Sequence, residues 1–179
     1  MTASLTIDDE SQAGDLVITL SLDPGSVVGD LRGFYMHVAD ESLLSGLSID
    51  GVNVTDSAFE ANSVYEFGRD SFVTTGSTGC RFNGCDLGIE VGTHGIRDDD
   101  LQSVTFVLSH SMLDLTVDLF ADQIFALRVS NAGSANGKRT GFSKLSGIVV
   151  VPEPSSAILM LFGLSGLTIA GRAQRTKPD

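Results

Sequence analysis

The sequence predicts an all-β protein, a two-sheet antiparallel sandwich of jelly-roll type, followed by a C-terminal single transmembrane-like helix. Three observations lead there. The chain has 20 glycines and no tryptophan, and its first 150 residues lack blocks of Ala, Glu, Lys and Leu, which suits short strands joined by turns. Period-two alternation of apolar residues recurs along that stretch, giving eight or more short strands at the spacing of two packed sheets. The composition then shifts once, at Pro152, into an uncharged apolar run. The expected organisation is a β-sandwich ectodomain over 1–150, a hinge over 151–156, an apolar membrane helix over 157–171 and a basic cytoplasmic tail over 172–179.

Met1 to Glu10 reads as the start of a strand. The clearest element is Asp15–Leu22, where Leu16, Ile18, Leu20 and Leu22 share one face, and Asp23-Pro24-Gly25 ends it with turn chemistry. Leu31 to Val38 is largely apolar on both faces and is expected to be a central strand. Between Leu43 and Glu66 the pattern breaks into short pieces, with Asp50-Gly51 as a hairpin turn joining two of them. Residues 68–84, rich in Gly, Ser and Thr, read as a long surface loop. Strands follow at Asp86–Gly92 and Gln102–Ser109, the latter with Val104, Phe106 and Leu108 on one side. Leu113 to Asp122 fits a strand by one spacing and a short helical turn by another. Ile124–Ser130 and Phe142–Val151 are the last strands, separated by a Gly/Asn/Ser loop.

The net charge of −12 is unevenly placed. Residues 1–151 hold 21 acids against 8 bases, and the segment from Pro152 holds 2 acids against 3 bases. So acidic a body repels polyphosphate, which excludes nucleic acid as the expected partner.

Cys80 and Cys85 flank Arg81-Phe82-Asn83-Gly84, whose Asn-Gly turn lets the two sulfurs face each other. A disulfide is the favoured reading beside two free thiols or half a zinc site, and so small a loop limits its stabilisation to roughly 2–3 kcal/mol. For metal binding the one acidic cluster is Asp98-Asp99-Asp100 with Glu90 before it, a set that offers oxygen ligands to calcium. It lacks the spacing and internal glycine of an EF-hand loop, and a solvated acidic turn is the competing reading. Calcium is the single cofactor the sequence offers.

His37, His94 and His110 are scattered, and no Gly-x-Ser-x-Gly elbow is present, so no catalytic residues are assigned and no enzymatic activity is expected. Phe34, Tyr35, Tyr65, Phe67, Phe72 and Phe82 are candidates for sugar stacking, with core packing the favoured alternative.

From Pro154 to Gly171 no residue is charged, and Arg172, Arg175 and Lys177 follow. As a helix, Ala157–Ala170 spans only ~21 Å against a ~30 Å hydrocarbon core, which suits a temporary stop better than permanent residence. By the positive-inside tendency the bases stay cytoplasmic and the acidic body lies outside. Pro152 and Pro154 keep the preceding backbone extended.

Pro152-Glu153-Pro154, the apolar stretch and the basic end together resemble the PEP-CTERM sorting signal of Gram-negative bacteria that make exopolysaccharide. The resemblance implies an exosortase as partner, a membrane during sorting, cleavage near the motif, and a destination at the cell surface or extracellular matrix, with exopolysaccharide as a further partner. Gly88–Gly95, Leu101–Ser109 and Phe125–Ser130 are similar to an uncharacterised group of such proteins with β-rich ectodomains. That family opens with a signal peptide, and Met1–Glu10 has neither a basic nor an apolar region of that kind. The expectation is therefore a start codon placed too far downstream. The role expected of the body is structural or adhesive, beside the alternative of a carbohydrate- or calcium-binding module.

Overall fold

The computed structural model describes residues 1–25, 27–64, 66–67, 70–71, 84–93 and 99–151. Its strands are β1 (Ala3–Asp8), β2 (Leu16–Leu22), β3 (Val27–Met36), β4 (Leu47–Asp50), β5 (Val54–Val64), β6 (Glu66–Phe67), β7 (Asp70–Ser71), β8 (Cys85–Val91), β9 (Ser103–His110), β10 (Ile124–Ser134) and β11 (Arg139–Ile148). They form a four-stranded sheet in the order β1-β2-β9-β4 and a five-stranded sheet in the order β11-β10-β3-β8-β5, with β6 and β7 paired separately. Every pairing is antiparallel. Helical structure among the described residues is limited to two 3-10 turns, Glu41–Gly46 and Val117–Phe120.

The sandwich follows from the alternation. Leu16, Ile18, Leu20 and Leu22 of β2 and Val104, Phe106 and Leu108 of β9 all point inward and are buried. Opposite them lie Leu31, Phe34 and Met36 of β3, Leu87 and Ile89 of β8, and Leu127 and Val129 of β10. Phe34 and Phe106 meet across the layers at 5.8 Å between ring centroids. Each such side chain contributes about 1.5–3 kcal/mol through burial, so these positions carry most of the stabilisation. Residues 29–36 are buried on both faces, as the central position of β3 requires. A second cluster of Tyr35, Val64, Cys85 and Ala126 occupies the opposite face of the same sheet.

Several expectations are corrected. Asp50-Gly51 does not turn a hairpin: β4 pairs with β9 in one sheet and β5 with β8 in the other. The glycine is needed there because a Cβ would stand 2.8 Å from that of Phe106, where the chain crosses between layers. The short pieces expected between Leu43 and Glu66 resolve into a 3-10 turn, β4 and the single long β5. Its period is broken by a register shift between Phe59 and Val64, with Asn62 at a φ of 52°. Of the two readings left open for Leu113–Asp122, the short helical turn is the one formed, at Val117–Phe120. The glycine-rich stretch after Ser130 mostly continues β10 and β11, with bulges around Asn131. Most of 68–84 lies outside the described residues.

Candidate functional site

The body ends where the sorting segment begins. Among the described residues Val149 is the last whose backbone is tied down: its N–H donates to the Gln123 carbonyl at 3.0 Å and its carbonyl accepts from the Asp122 N–H at 3.1 Å. Beside this exit the edge strands of the two sheets, β1 and β11, leave a groove of about 370 Å³ whose surface is part apolar and part polar. Leu5, Thr6 and Ile7 form one wall and Ile148–Val151 the other, with Val117 and Phe125 between them. Ile148 and Val150 are 62% and 78% exposed, so the groove continues onto the surface.

At the opposite end of the sandwich a charged network fixes the connection between β8 and β9. Arg32 is 1% exposed and donates to the carbonyls of Gly92 and Thr93, and its Nη1 lies 3.5 Å from Asp99. Asp99 in turn accepts from the Thr93 N–H and hydroxyl. Asp30, fully buried, accepts from the Leu101 N–H at 3.1 Å and the Ser130 hydroxyl at 3.3 Å. Burial raises the Asp30 pKa, so its contribution to stability falls as pH rises between the ordinary carboxylate value and the raised one. Asp100 behaves oppositely. A two-pronged bond from Arg139, at 2.5 and 2.6 Å, lowers its pKa, and the stability it supplies above the ordinary value is lost as pH falls through the lowered one.

A third polar centre joins three strands of the five-stranded sheet. Asp86, 1% exposed, accepts from the Val38 N–H at 2.9 Å and the Asn62 N–H at 2.8 Å, with the His37 Nδ1 at 3.1 Å. His110 uses its Nδ1 to accept from the Met112 and Leu113 N–H groups, at 3.2 and 3.1 Å, and so shapes the turn after β9. His110 thus holds backbone directly, and the His37 ring contacts the carboxylate that does.

Of the residues singled out in the sequence, Pro152, Glu153, Pro154, Arg172, Arg175, Lys177, Cys80 and Asp98 lie outside the described residues, as do His94, Phe72 and Phe82. Cys85 is fully buried on β8. Asp99 and Asp100 are directed to different arginines, while Glu90 sits half-buried on β8. Among the described residues no three His, Cys, Asp or Glu side chains are grouped to hold a metal ion. Phe34 and Tyr35 are fully buried, as core packing requires. The His37–Asp86 pair had no signal in sequence, because its members are 49 positions apart and meet only through strand pairing. No helix among the described residues is long and apolar enough to cross a membrane, and 157–171 falls outside them.

An exit carrying a proline-acid-proline segment and an apolar run defines a protein addressed to a membrane for sorting. Residues 150–175 match the family model of the PEP-CTERM protein-sorting motif, so the chain carries that motif. It implies processing by exosortase, membrane anchoring during sorting and export to the cell surface. No curated protein matches the chain. Among solved structures, the cohesin module from the Clostridium perfringens family 33 glycoside hydrolase is similar over 83% of this chain and 96% of that chain, at 11% identity and a TM-score of 0.29. A likeness of that degree carries no argument about function.

Proposed function

We propose that this is an exosortase-processed protein of the cell surface or extracellular matrix whose body has a non-catalytic, structural or adhesive role. The observation that carries the reading is the sorting motif at 150–175, which begins directly after Val149, the last of the described residues held by backbone hydrogen bonds. The strand crossings support a jelly-roll arrangement, with β2 and β3, β4 and β5, and β8 and β9 each divided between the sheets. Orientation follows the charge: Arg172, Arg175 and Lys177 stay cytoplasmic, residues 157–171 reside transiently in the inner membrane, and the acidic body lies outside. In an oxidising compartment Cys85 pairs with Cys80.

The test is expression of the full chain, placed behind a cleavable secretory leader, in a Gram-negative host with and without an exosortase. The expected result is a shorter surface form only when the enzyme is present, abolished by Pro152→Ala with Pro154→Ala. Equal processing in both hosts would overturn the reading. A glycan array on the surface form separates the structural role from exopolysaccharide binding, since specific hits would favour the latter.

A further inference from the structure

We propose that the groove between β1 and the end of β11 is a docking surface for the membrane-embedded enzyme that processes the tail. The inference rests on the sorting reading above and adds that the folded body takes part in recognition. Three observations carry it. First, the groove and the motif share residues: Val150 and Val151 line the groove and also open the matched segment. Second, the tether is short. With Val149 fixed by two backbone bonds, five residues reach Pro154 and span at most about 18 Å when extended, comparable with the radius of a domain this size. An enzyme gripping Pro152–Pro154 is therefore brought against this end of the sandwich.

Third, the rim has one sign of charge. Asp9 accepts from the Val117 N–H at 3.2 Å, and Asp8, Asp118 and Asp122 stand beside groove or exit residues. Segments 1–12, 114–125 and 148–151 contain no Lys or Arg. A partner that fits offers an apolar ridge flanked by cationic side chains. An anionic lipid surface does not, because the rim acids repel it.

The experiment uses the full chain behind a cleavable secretory leader, co-expressed with an exosortase. A photo-cross-linking residue is placed at Ile148, at Thr6 on the facing wall, and at the 71%-exposed Phe142 toward the far end of β11 as control. Pulse-chase then follows conversion of the unsubstituted chain, Ile148→Asp, Thr6→Asp and Phe142→Asp. Expected are adducts to the enzyme from positions 148 and 6 and none from 142. Ile148→Asp and Thr6→Asp are expected to convert about tenfold more slowly, the effect of losing one well-packed interface contact, with unchanged melting temperature. Phe142→Asp converts normally. Cleavage at the normal rate in all variants, or adducts to lipid alone, overturns the docking surface and leaves the sorting reading intact. Failure of the unsubstituted chain to be cleaved overturns the sorting reading, and this proposal with it.

Discussion

Replacing Asp86 by alanine strips two backbone N–H groups of their acceptor, that of Val38 in a buried position and that of Asn62 in a part-buried one. The aspartate ties the end of β3 and the irregular part of β5 to β8, so one carboxylate holds three chain segments. An orphaned buried donor costs about 1–3 kcal/mol and the part-buried one less, so Asp86→Ala is expected to lower stability by roughly 2–3 kcal/mol in urea unfolding. His37→Ala removes only the side-chain partner, itself 24% exposed, and should cost about 1 kcal/mol or less. A reversed order of the two would mean that the ring, and not the backbone bonds, carries the centre.

At the scale of the element, the strap between β8 and β9 depends on Gly92. Its φ of +66° lies in the left-handed region, and a Cβ there would stand 2.6 Å from the Asp99 carboxylate and 2.9 Å from the Arg32 guanidinium. Gly92→Ala combines backbone strain with displacement of a buried ionic contact, and a loss of about 2–3 kcal/mol is expected in denaturant unfolding. A value near zero would show that Arg32 and Asp99 can move apart at no cost. Elements such as β2 and β9 were legible in the sequence, because Leu16, Ile18, Leu20 and Leu22 in the one and Val104, Phe106 and Leu108 in the other alternate without interruption. The strap was not: Asp99 and Asp100 read as a solvated turn, and the arginines that hold them, Arg32 and Arg139, lie on other strands far away in sequence. The crossing at Gly51 was misread for a related reason. Turn chemistry specifies a reversal locally but does not say in which sheet the next strand will pair.

Across the whole molecule the acids are concentrated at the end from which the tail departs. Segments 8–15, 40–41 and 114–122 contribute nine acids and no Lys or Arg. Leu115 N–H to Gly14, Ala39 N–H to Leu119 and Asp122 N–H to Val149 bind these segments together. Self-repulsion among these groups opposes folding and is relieved by screening. Raising NaCl to about 0.5 M shortens the Debye length to about 4 Å and is expected to stabilise the chain by about 1 kcal/mol, a rise of about 2–4 °C in melting temperature. The same measurement tests the calcium expectation. Calcium chloride at matched ionic strength should give the same shift if ions act only by screening, whereas a saturable further rise, reversed by a chelator, would reveal a specific site. With Asp99 and Asp100 already bonded to arginines, such a site would have to displace those partners, so loss of the extra rise in Asp99→Asn is the result that would assign it to this strap.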